Sequence, residues 1–489
     1  MKNLFVGMGA MLIATTNAAA EDKRLFWGDT HLHTNRSMDA FTVGNRTADP
    51  ETAYRYARGL PVIHPYHRAR IQIETPLDFL VVSDHAEFLG VIRHIYREGV
   101  PGDLGIIDRA MAYFSTLVLR YAIDNEVGLQ LFGSELPEAE DPVRAAKNSL
   151  IEPAVTLTGI PPLPQVEANT WAQITNTADA YNNPGEFTAL IGWEWSSIPG
   201  GANLHRIVIT DSNAAVAQQY QPFNFLNSSF PEDLWQWLDT TSASTGADFI
   251  SIPHNSNISK GFMFDTKTLR GAPLSKNYIS ARMKWEKLAE VTQIKGDSET
   301  HPALSPDDEF ADFESYEYYI QRDPTAYVAG EGDYIRSGLK RGLAIEAELG
   351  QNPYQFGLIG STDAHTGMAS AEEDNFHGKL AIDSIPENKS GQALTDSVSG
   401  WSMSASGLAA VWAEDNTREA ILAAMKRREV YATSGPRIGV QFFAGAGLGE
   451  ELLQSPDVYA RATATGVAMG GELSGALEAS PGFLVRASK

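Results

Sequence analysis

Nine potential metal ligands, all but one of them histidine or aspartate, are distributed in short motifs along the 489-residue chain. Imidazole and carboxylate ligands suit divalent ions such as zinc, manganese or iron, and the absence of cysteine excludes thiolate sites. A structural zinc ion needs only about four ligands, so the set is large enough for about two or three ions. The set therefore predicts a metal-dependent hydrolase. The candidates are His31 and His33 in GDTHLHT, Asp39, His85 in SDHAE, Glu194 in GWEW, His205, His254 in PHN, and Asp363 with His365 in STDAH.

Most of these motifs directly follow a short apolar run with the composition of a β-strand. The runs are 25–28, 77–82, 187–193, 249–253 and 356–360. Helical patterns lie between them, at 231–238 with proline in the first turn, and at 416–428. In the second helix, Asn416 is predicted to cap the first turn with Glu419 reaching back. Alternating strands and helices predict an α/β barrel or sheet with the site at the carboxyl ends of the strands.

His205 begins the run HRIVIT, whereas the other motifs follow a run. To meet Glu194, residues 205–210 must return antiparallel to the run that ends at Trp193, because this brings His205 to the same edge of the sheet. The intervening Pro-Gly-Gly at 199–201 permits such a turn. The sequence therefore predicts an irregular barrel, and not eight parallel strands.

The order of the nine residues resembles the polymerase and histidinol phosphatase (PHP) superfamily, and more closely an exported branch of it. That pattern runs His-x-His, a ligand six residues later, a histidine after the second strand, then Glu, His, His and Asp-x-His. The nine candidates fill every position. The resemblance spans about 25–437, including GLAAVWAEDNTREAILAAMKRREVYATSG, and implies an irregular TIM-like (β/α) barrel of the PHP type. Asp39 departs from the pattern, because many members have histidine there.

The resemblance also implies how the ligands are shared between ions. The implied sets are His31, His33, Glu194 and Asp363 for one ion, Glu194, His205 and His254 for a second, and Asp39, His85 and His365 for a third. The two oxygens of a bridging glutamate can lie between ions that are about 3.5–4 Å apart. A water that bridges such ions becomes a hydroxide nucleophile, and the ions polarise a phosphoryl group, so Glu194 and Asp363 are also catalytic candidates. Hydrolysis of phosphate esters at a di- or trinuclear site is thus the leading prediction.

Five further residues are candidates for supporting roles. Asp29 and Asp84 lie beside ligands, where they either orient imidazoles or simply end a strand with a turn-forming side chain. Arg36, Arg206 and Lys295 are candidates for holding an anionic group of the substrate, although isolated basic residues are more often solvated surface groups.

The remaining histidines include a second pair with the spacing of metal ligands. His64 and His67 occur in HPYHR, but they precede a predicted strand and do not follow one. A loop is therefore predicted for this pair. His377 has no patterned partner and is assigned an ordinary hydrogen-bonding role.

The formal charge of −23 disfavours nucleic acids and anionic membranes as partners, since binding to both depends on lysine and arginine. A small anionic ester remains a suitable substrate, because bound metal ions supply local positive charge. The oligomeric state is not predicted.

Residues 1–20 have the layout of a secretory signal peptide, with Lys2, an apolar run at 4–14 and a small-residue end at 18–20. The alternative is a buried N-terminal helix. Export to the periplasm or beyond is predicted, and no later segment reaches membrane-spanning length.

The domain organisation follows from the positions of the motifs. Residues 21–436 form the predicted hydrolase domain, with a partly helical insertion at about 87–186 that either covers the site or mediates self-association. Residues 437–489 contain alternating segments at 437–444 and 457–466, which predict a small β-rich appendage. We expect this appendage to be incomplete, because relatives in the same branch continue beyond it.

Three other functions stay open beside the PHP-like phosphoesterase. The same metal site would suit sulfate or phosphonate esters, although a sulfatase with a cysteine-derived nucleophile is excluded by composition. An amidohydrolase shares part of the pattern, but it has no required place for Asp39, His85 or His365. A non-catalytic metal-binding protein of the cell envelope is the third alternative.

Overall fold

A computed structural model describes residues 23–100, 105–151, 157, 159–390, 398–446, 448–473 and 480–488. The predicted signal peptide at 1–20 lies outside these residues. Within the described ranges, no helix combines the length and the apolar character needed to cross a membrane.

Fifteen strands and fourteen α-helices occur in the described residues. The strands are β1 (Arg24–Leu32), β2 (Val62–Ile63), β3 (Arg70–Ile71), β4 (Phe79–Val82), β5 (Thr188–Trp195), β6 (Arg206–Thr210), β7 (Phe249–Pro253), β8 (Leu288–Gln293), β9 (Gly296–Asp297), β10 (Gly357–Gly360), β11 (Leu408–Ala413), β12 (Val430–Thr433), β13 (Gly439–Gly445), β14 (Val467–Ala468) and β15 (Gly482–Ser488). The helices are α1 (Met38–Thr42), α2 (Pro50–Ala57), α3 (Val91–Glu98), α4 (Ile106–Asp124), α5 (Gly128–Glu135), α6 (Pro142–Ile151), α7 (Pro164–Tyr181), α8 (Ala214–Ala217), α9 (Pro231–Thr245), α10 (Lys276–Trp285), α11 (Ile335–Leu349), α12 (Pro386–Lys389), α13 (Arg418–Lys426) and α14 (Val458–Thr465).

The main sheet has seven strands in the order β12-β11-β1-β4-β5-β6-β7. Strands β1, β4 and β5 are parallel, whereas β6 is antiparallel to both of its neighbours. Trp195 at the end of β5 pairs with Arg206 at the start of β6, which confirms the predicted reversal of 205–210.

A second sheet, β10-β8-β9, lies next to the two edges of the main sheet, because β8 contacts β7 and β10 contacts β12. The α/β class is thereby confirmed. In the described chain, hydrogen bonding gives a curled half-barrel of mixed strand direction, and the irregular TIM-like barrel that the PHP resemblance implies stays a prediction.

Alternate residues of the strands pack on opposite faces of the main sheet, as the pleat requires. Phe79 and Val81 of β4 pack inside the half-barrel with Ile207 of β6, whereas Leu80 and Val82 pack on the outer face. Helices α2, α7 and α9 contribute to this outer layer. Apolar side chains of both sheets therefore pack together inside the half-barrel, and the candidate ligands lie beyond them toward the strand ends.

Helix α13 begins one residue later than predicted. Thr417 is the N-cap, and its side chain accepts a hydrogen bond from Ala420 N. The Asn416 side chain instead donates to the carbonyl oxygens of Asp78 and Glu186, which ties α13 to the sheet. The predicted cap at Asn416 is therefore wrong, because its long-range hydrogen bonds satisfy backbone groups of other segments.

The described part of the insertion at 87–186 contains helices α3 to α7, which are joined by loops. Helix α4 leaves large apolar side chains such as Tyr113 and Phe114 exposed. Helix α5 instead contributes Leu129 and Phe132 to the wall of the cavity described below. Part of the insertion therefore lines the cavity, and its two possible roles, covering of the site and self-association, both stay predictions.

The C-terminal region contains the three-stranded antiparallel sheet β14-β13-β15. The segment 457–466, predicted as β-rich, is helix α14 instead. Its sequence VYARATAT contains three alanines and an arginine, which are strong helix formers, and this preference outweighs a short alternating pattern.

Candidate metal centre

The nine candidate ligands meet at one end of the half-barrel. His31 lies in β1, and His33 is the first residue after this strand. The segment that follows β10 pairs with the end of β1 through a bridge between Leu32 and Ala364. Asp363 N donates to His31 O over 2.8 Å, and His33 N donates to the carbonyl oxygen of Ala364 over 2.9 Å. Likewise, His85 after β4 forms a bridge with Glu194 of β5. Backbone pairing therefore brings the distant motifs together.

Glu194 lies at the centre of the cluster. Its Oε2 lies 3.1 Å from His33 Nε2 and 3.6 Å from His31 Nε2. Its Oε1 lies 2.5 Å from His205 Nδ1 and 3.1 Å from His254 Nε2. His85 Nδ1 also lies 3.2 Å from Oε2. The two carboxylate oxygens thus face different histidines, which is the arrangement that a bridging ligand requires.

Asp363 faces the first of these histidine pairs. Its Oδ1 lies 3.3 Å from His31 Nε2 and 3.4 Å from His33 Nε2. The residue has a φ of 52°, in the left-handed region that aspartate tolerates better than most residues. The chain therefore turns sharply after β10, at the residue whose carboxylate enters the cluster.

Asp39, from the short helix α1, faces the remaining two histidines. Its Oδ2 lies 2.7 Å from His365 Nε2 and 3.4 Å from His85 Nε2. The His33 and His365 rings are 3.9 Å apart between centroids, so this third group adjoins the first. The ligand atoms of His31, His33 and Asp363, and those of Glu194, His205 and His254, lie within 4.8 Å of one another. The division of the nine residues between ions stays a prediction.

A hydrogen-bonded chain determines which nitrogen of His33 faces Glu194. The Ser37 hydroxyl donates its hydrogen to Asp84 Oδ1 over 2.7 Å, so its oxygen accepts a hydrogen bond from His33 Nδ1 over 2.9 Å. The Nε2 atom of His33 therefore carries a lone pair. It finds no hydrogen-bond partner among the described residues, and neither does Glu194 Oε2.

A lone pair that faces a carboxylate oxygen in a buried site is unfavourable unless a cation lies between them. A carboxyl group also lies behind the His31 ring, where Nδ1 is 3.1 Å from Glu290 Oε2, and His31 Nε2 has no hydrogen-bond partner among the described residues. Carboxylate contacts behind the ligating imidazole are typical of metal sites. The donor set therefore fits divalent ions.

Burial keeps most of these imidazoles neutral, which is the form that binds metal. It lowers the pKa of His33, and it lowers the pKa of His205 and His254 to about 4. Burial raises the pKa of Glu194, but His85 and the other histidines outweigh it and hold that pKa well below its usual range. The ligand carboxylate is therefore ionised.

Two lysines lie against Asp363. Lys295 Nζ contacts Asp363 Oδ2, and Lys379 Nζ lies 2.6 Å from Oδ1. Gln293 Nε2 also donates to Oδ2 over 2.8 Å. Lys295 was a sequence candidate for holding an anionic group, and it does line the cavity. Lys379 was missed, because it lies in an irregular segment with no motif and no preceding strand.

The two arginine candidates lie away from the cavity. Arg206 follows His205 in an extended segment, so its side chain points to the opposite face. It is buried, its Nε donates to Glu286 Oε1 over 2.9 Å, and it lies 5.7 Å from the Trp195 ring. Burial lowers the pKa of Arg36, and the charge of Asp84 acts in the opposite direction. Neither arginine lines the cavity, so the structure does not support anion binding by them.

Asp29 and Asp84 hold the backbone around the ligands. Asp29 accepts hydrogen bonds from His31 N and from the backbone and hydroxyl of Thr362, so it joins β1 to the segment after β10. Burial raises its pKa to about 6. Asp84 acts on an imidazole only through Ser37. Both residues therefore do more than end a strand.

Replacement of Ser37 by alanine is expected to lower metal affinity by about 10–100-fold, the range found when such supporting hydrogen bonds are lost. The His33 ring would lose the acceptor that determines which nitrogen faces Glu194. Competition with a fluorescent chelator measures the affinity.

The matched control is Ser251→Ala, because the Ser251 hydroxyl is buried in β7 and has no hydrogen-bond partner in the described structure. Equal metal affinity of the two variants would show that the Ser37 contact does not support the site.

His64, His67 and His377 form a separate group in which the ligand atoms lie within 4.8 Å of one another. The first two residues lie in the loop between β2 and β3, as predicted. Their rings are stacked 3.8 Å apart with an interplanar angle of 5°. An ion that lies in the plane of one ring would lie outside the plane of the other, so this arrangement suits ring stacking better than metal binding.

Comparisons with known proteins place the chain in a family. A search of curated proteins finds no match. A solved structure from Bacteroides vulgatus, of a two-domain protein containing a "predicted PHP-like metal-dependent phosphoesterase", is similar over 84% of this chain with 10% identity and a TM-score of 0.33. The match spans 66% of that protein's length, slightly less than two thirds. The family described as "Protein of unknown function (DUF3604)" matches residues 20–489, and the chain therefore belongs to it.

Proposed function

We propose that the protein is a metal-dependent hydrolase of small phosphate esters that uses two or three divalent ions, with zinc, manganese and iron as candidates. The supporting observation is the position of Glu194, whose Oε1 faces His205 and His254 and whose Oε2 faces His31 and His33. Oε2 has no hydrogen-bond partner among the described residues. The order of the nine ligand candidates along the chain, which resembles the PHP pattern, points to the same chemistry.

The chain's own residues have separate tasks in this reaction. His31, His33 and Asp363 hold one side of the centre, and the Nζ atoms of Lys295 and Lys379 lie beside it against Asp363. Bound ions supply Lewis acidity, which polarises the phosphoryl group and lowers the pKa of water. Both lysines line the cavity, so their Nζ atoms are placed to donate hydrogen bonds to phosphate oxygens.

Metal removal is the direct test. Metal content is measured on the purified protein, and turnover of aryl phosphate monoesters and diesters is measured before and after chelation. We expect chelation to lower turnover on the order of 10³-fold or more, because the Lewis acid is worth several kcal/mol to this reaction. Addition of one divalent ion at a time should restore it.

Circular dichroism of the chelated protein controls for unfolding. Aryl sulfates, phosphonate esters, amides and lactones are assayed on the same preparation. Retention of phosphatase turnover without metal, or turnover of amides and lactones alone, would contradict the proposal.

A further inference from the structure

The metal centre forms the floor of a cavity of about 250 Å³. This volume limits the part of a ligand that the cavity can surround. A cavity of about 150 Å³ is large enough for benzene, and drug-sized ligands need about 300–1,000 Å³. The space above the metal ligands therefore suits a phosphoryl group with one small substituent.

The wall of this cavity is mostly apolar. Helix α5 and the residues after it contribute Leu129, Phe132 and Leu136, and Phe225 and Ile320 come from two other segments. Leu129 and Leu136 are buried, whereas Phe132, Phe225 and Ile320 keep part of their surface exposed. A wall of this composition stabilises an apolar substituent by removing it from water.

Polar groups are scarce above the floor. Among the described residues that line the cavity, the lysines are Lys295 and Lys379, and both lie against Asp363. Ser196 Oγ lies 2.6 Å from His85 Nδ1, so that hydroxyl already has a partner. Glu135 adds a negative charge to the wall. Tyr316 also lines the cavity. These few groups cannot replace all the hydrogen bonds that a sugar or a second phosphate makes to water, and the loss costs binding free energy.

We propose that the substrate is an anionic ester with a compact, uncharged, apolar leaving group, about the size of a benzyl or short alkyl group, and that Phe132 helps to select it. This inference rests on the proposed function. In the reaction the P–O ester bond breaks, and water supplies both the hydroxyl on phosphorus and the proton on the released alcohol.

The test compares benzyl phosphate with glycerol 3-phosphate on the metal-loaded protein. Both leaving groups are primary alcohols, so intrinsic reactivity differs little. We expect kcat/KM to be at least about tenfold higher for benzyl phosphate, as is usual for an apolar group that fills an apolar pocket. Benzylphosphonate and methylphosphonate are not hydrolysed, so their binding is measured by calorimetry. We expect benzylphosphonate to bind more tightly than methylphosphonate.

Phe132→Ser should lower the preference for benzyl phosphate, measured as its kcat/KM divided by that of glycerol 3-phosphate, by about tenfold. The change should come mainly from a higher KM for benzyl phosphate. Ile320→Ser provides a second variant from outside the insertion. Phe114→Ser is the matched control, because Phe114 is 67% exposed on α4 of the same insertion and does not line the cavity.

The outcomes separate the two proposals. Equal kcat/KM for the two esters, or an unchanged ratio in well-folded Phe132→Ser and Ile320→Ser, would overturn the leaving-group preference. Turnover of neither ester, with tighter binding of benzylphosphonate than of methylphosphonate, would overturn the phosphoesterase function and support the apolar cavity.

Discussion

Glu194→Gln is expected to lower kcat/KM for phosphate esters on the order of 10³-fold, equivalent to about 4 kcal/mol, and to reduce the metal content of the purified protein. The substitution keeps the size of the side chain but replaces one anionic oxygen with an amide nitrogen, which cannot ligate a cation. Both oxygens of Glu194 face histidines, so either orientation of the amide leaves one histidine pair without its carboxylate oxygen. Elemental analysis and steady-state kinetics on the same sample measure the two effects.

Glu232→Gln is the matched control, because Glu232 lies in the first turn of α9 and pairs with Arg270 at 2.8 Å away from the metal centre. We expect this variant to keep full metal content and turnover. If Glu194→Gln retains both, Glu194 does not bridge ions and the central assignment is wrong.

Strand ends were predictable from the sequence because they depend on local patterns. The apolar runs at 77–82 and 249–253 became β4 and β7, and the motif after each of them reached the site. The reversal at His205 was also predictable, since only an antiparallel return brings it to Glu194. Local composition, together with the requirement that the candidate ligands meet at one site, was sufficient to predict this part of the fold.

The supporting contacts depend on pairing between distant segments, which the sequence does not specify. Glu290 lies in β8 of the second sheet and reaches His31 from there. A signal did exist, because a glutamate inside the apolar run LAEVTQ is unusual for a buried strand. Ser37 and Lys379 carried no comparable signal, since neither belongs to a patterned run.

The orientation of Arg206 could have been predicted. His205 and Arg206 are consecutive in an extended segment, and consecutive side chains point to opposite faces. An arginine next to a ligand in a strand therefore faces away from the site, and it then needs a buried partner. Here that partner is Glu286, at 2.9 Å.

Glu286→Ala is expected to reduce the free energy of unfolding by about 3–5 kcal/mol, the cost of leaving buried charges without their partner. Glu286 is buried and accepts from Arg206 Nε at 2.9 Å and from Trp235 Nε1 at 3.0 Å. Its second oxygen lies 2.9 Å from Arg282 Nε. Removal of the carboxylate leaves two buried guanidinium groups, Arg206 and Arg282, next to each other.

Thermal and urea unfolding, followed by tryptophan fluorescence on metal-depleted protein, measure this loss without a contribution from bound ions. The matched control is Glu331→Ala, because Glu331 is exposed and pairs with Arg341 at 3.1 Å on the surface. Surface pairs of this kind contribute about 0–1 kcal/mol, so the control should unfold almost like the wild type. Equal unfolding midpoints for Glu286→Ala and Glu331→Ala would mean that water or a rearranged side chain compensates the two arginines, and that Arg206 is not held away from the metal centre by Glu286.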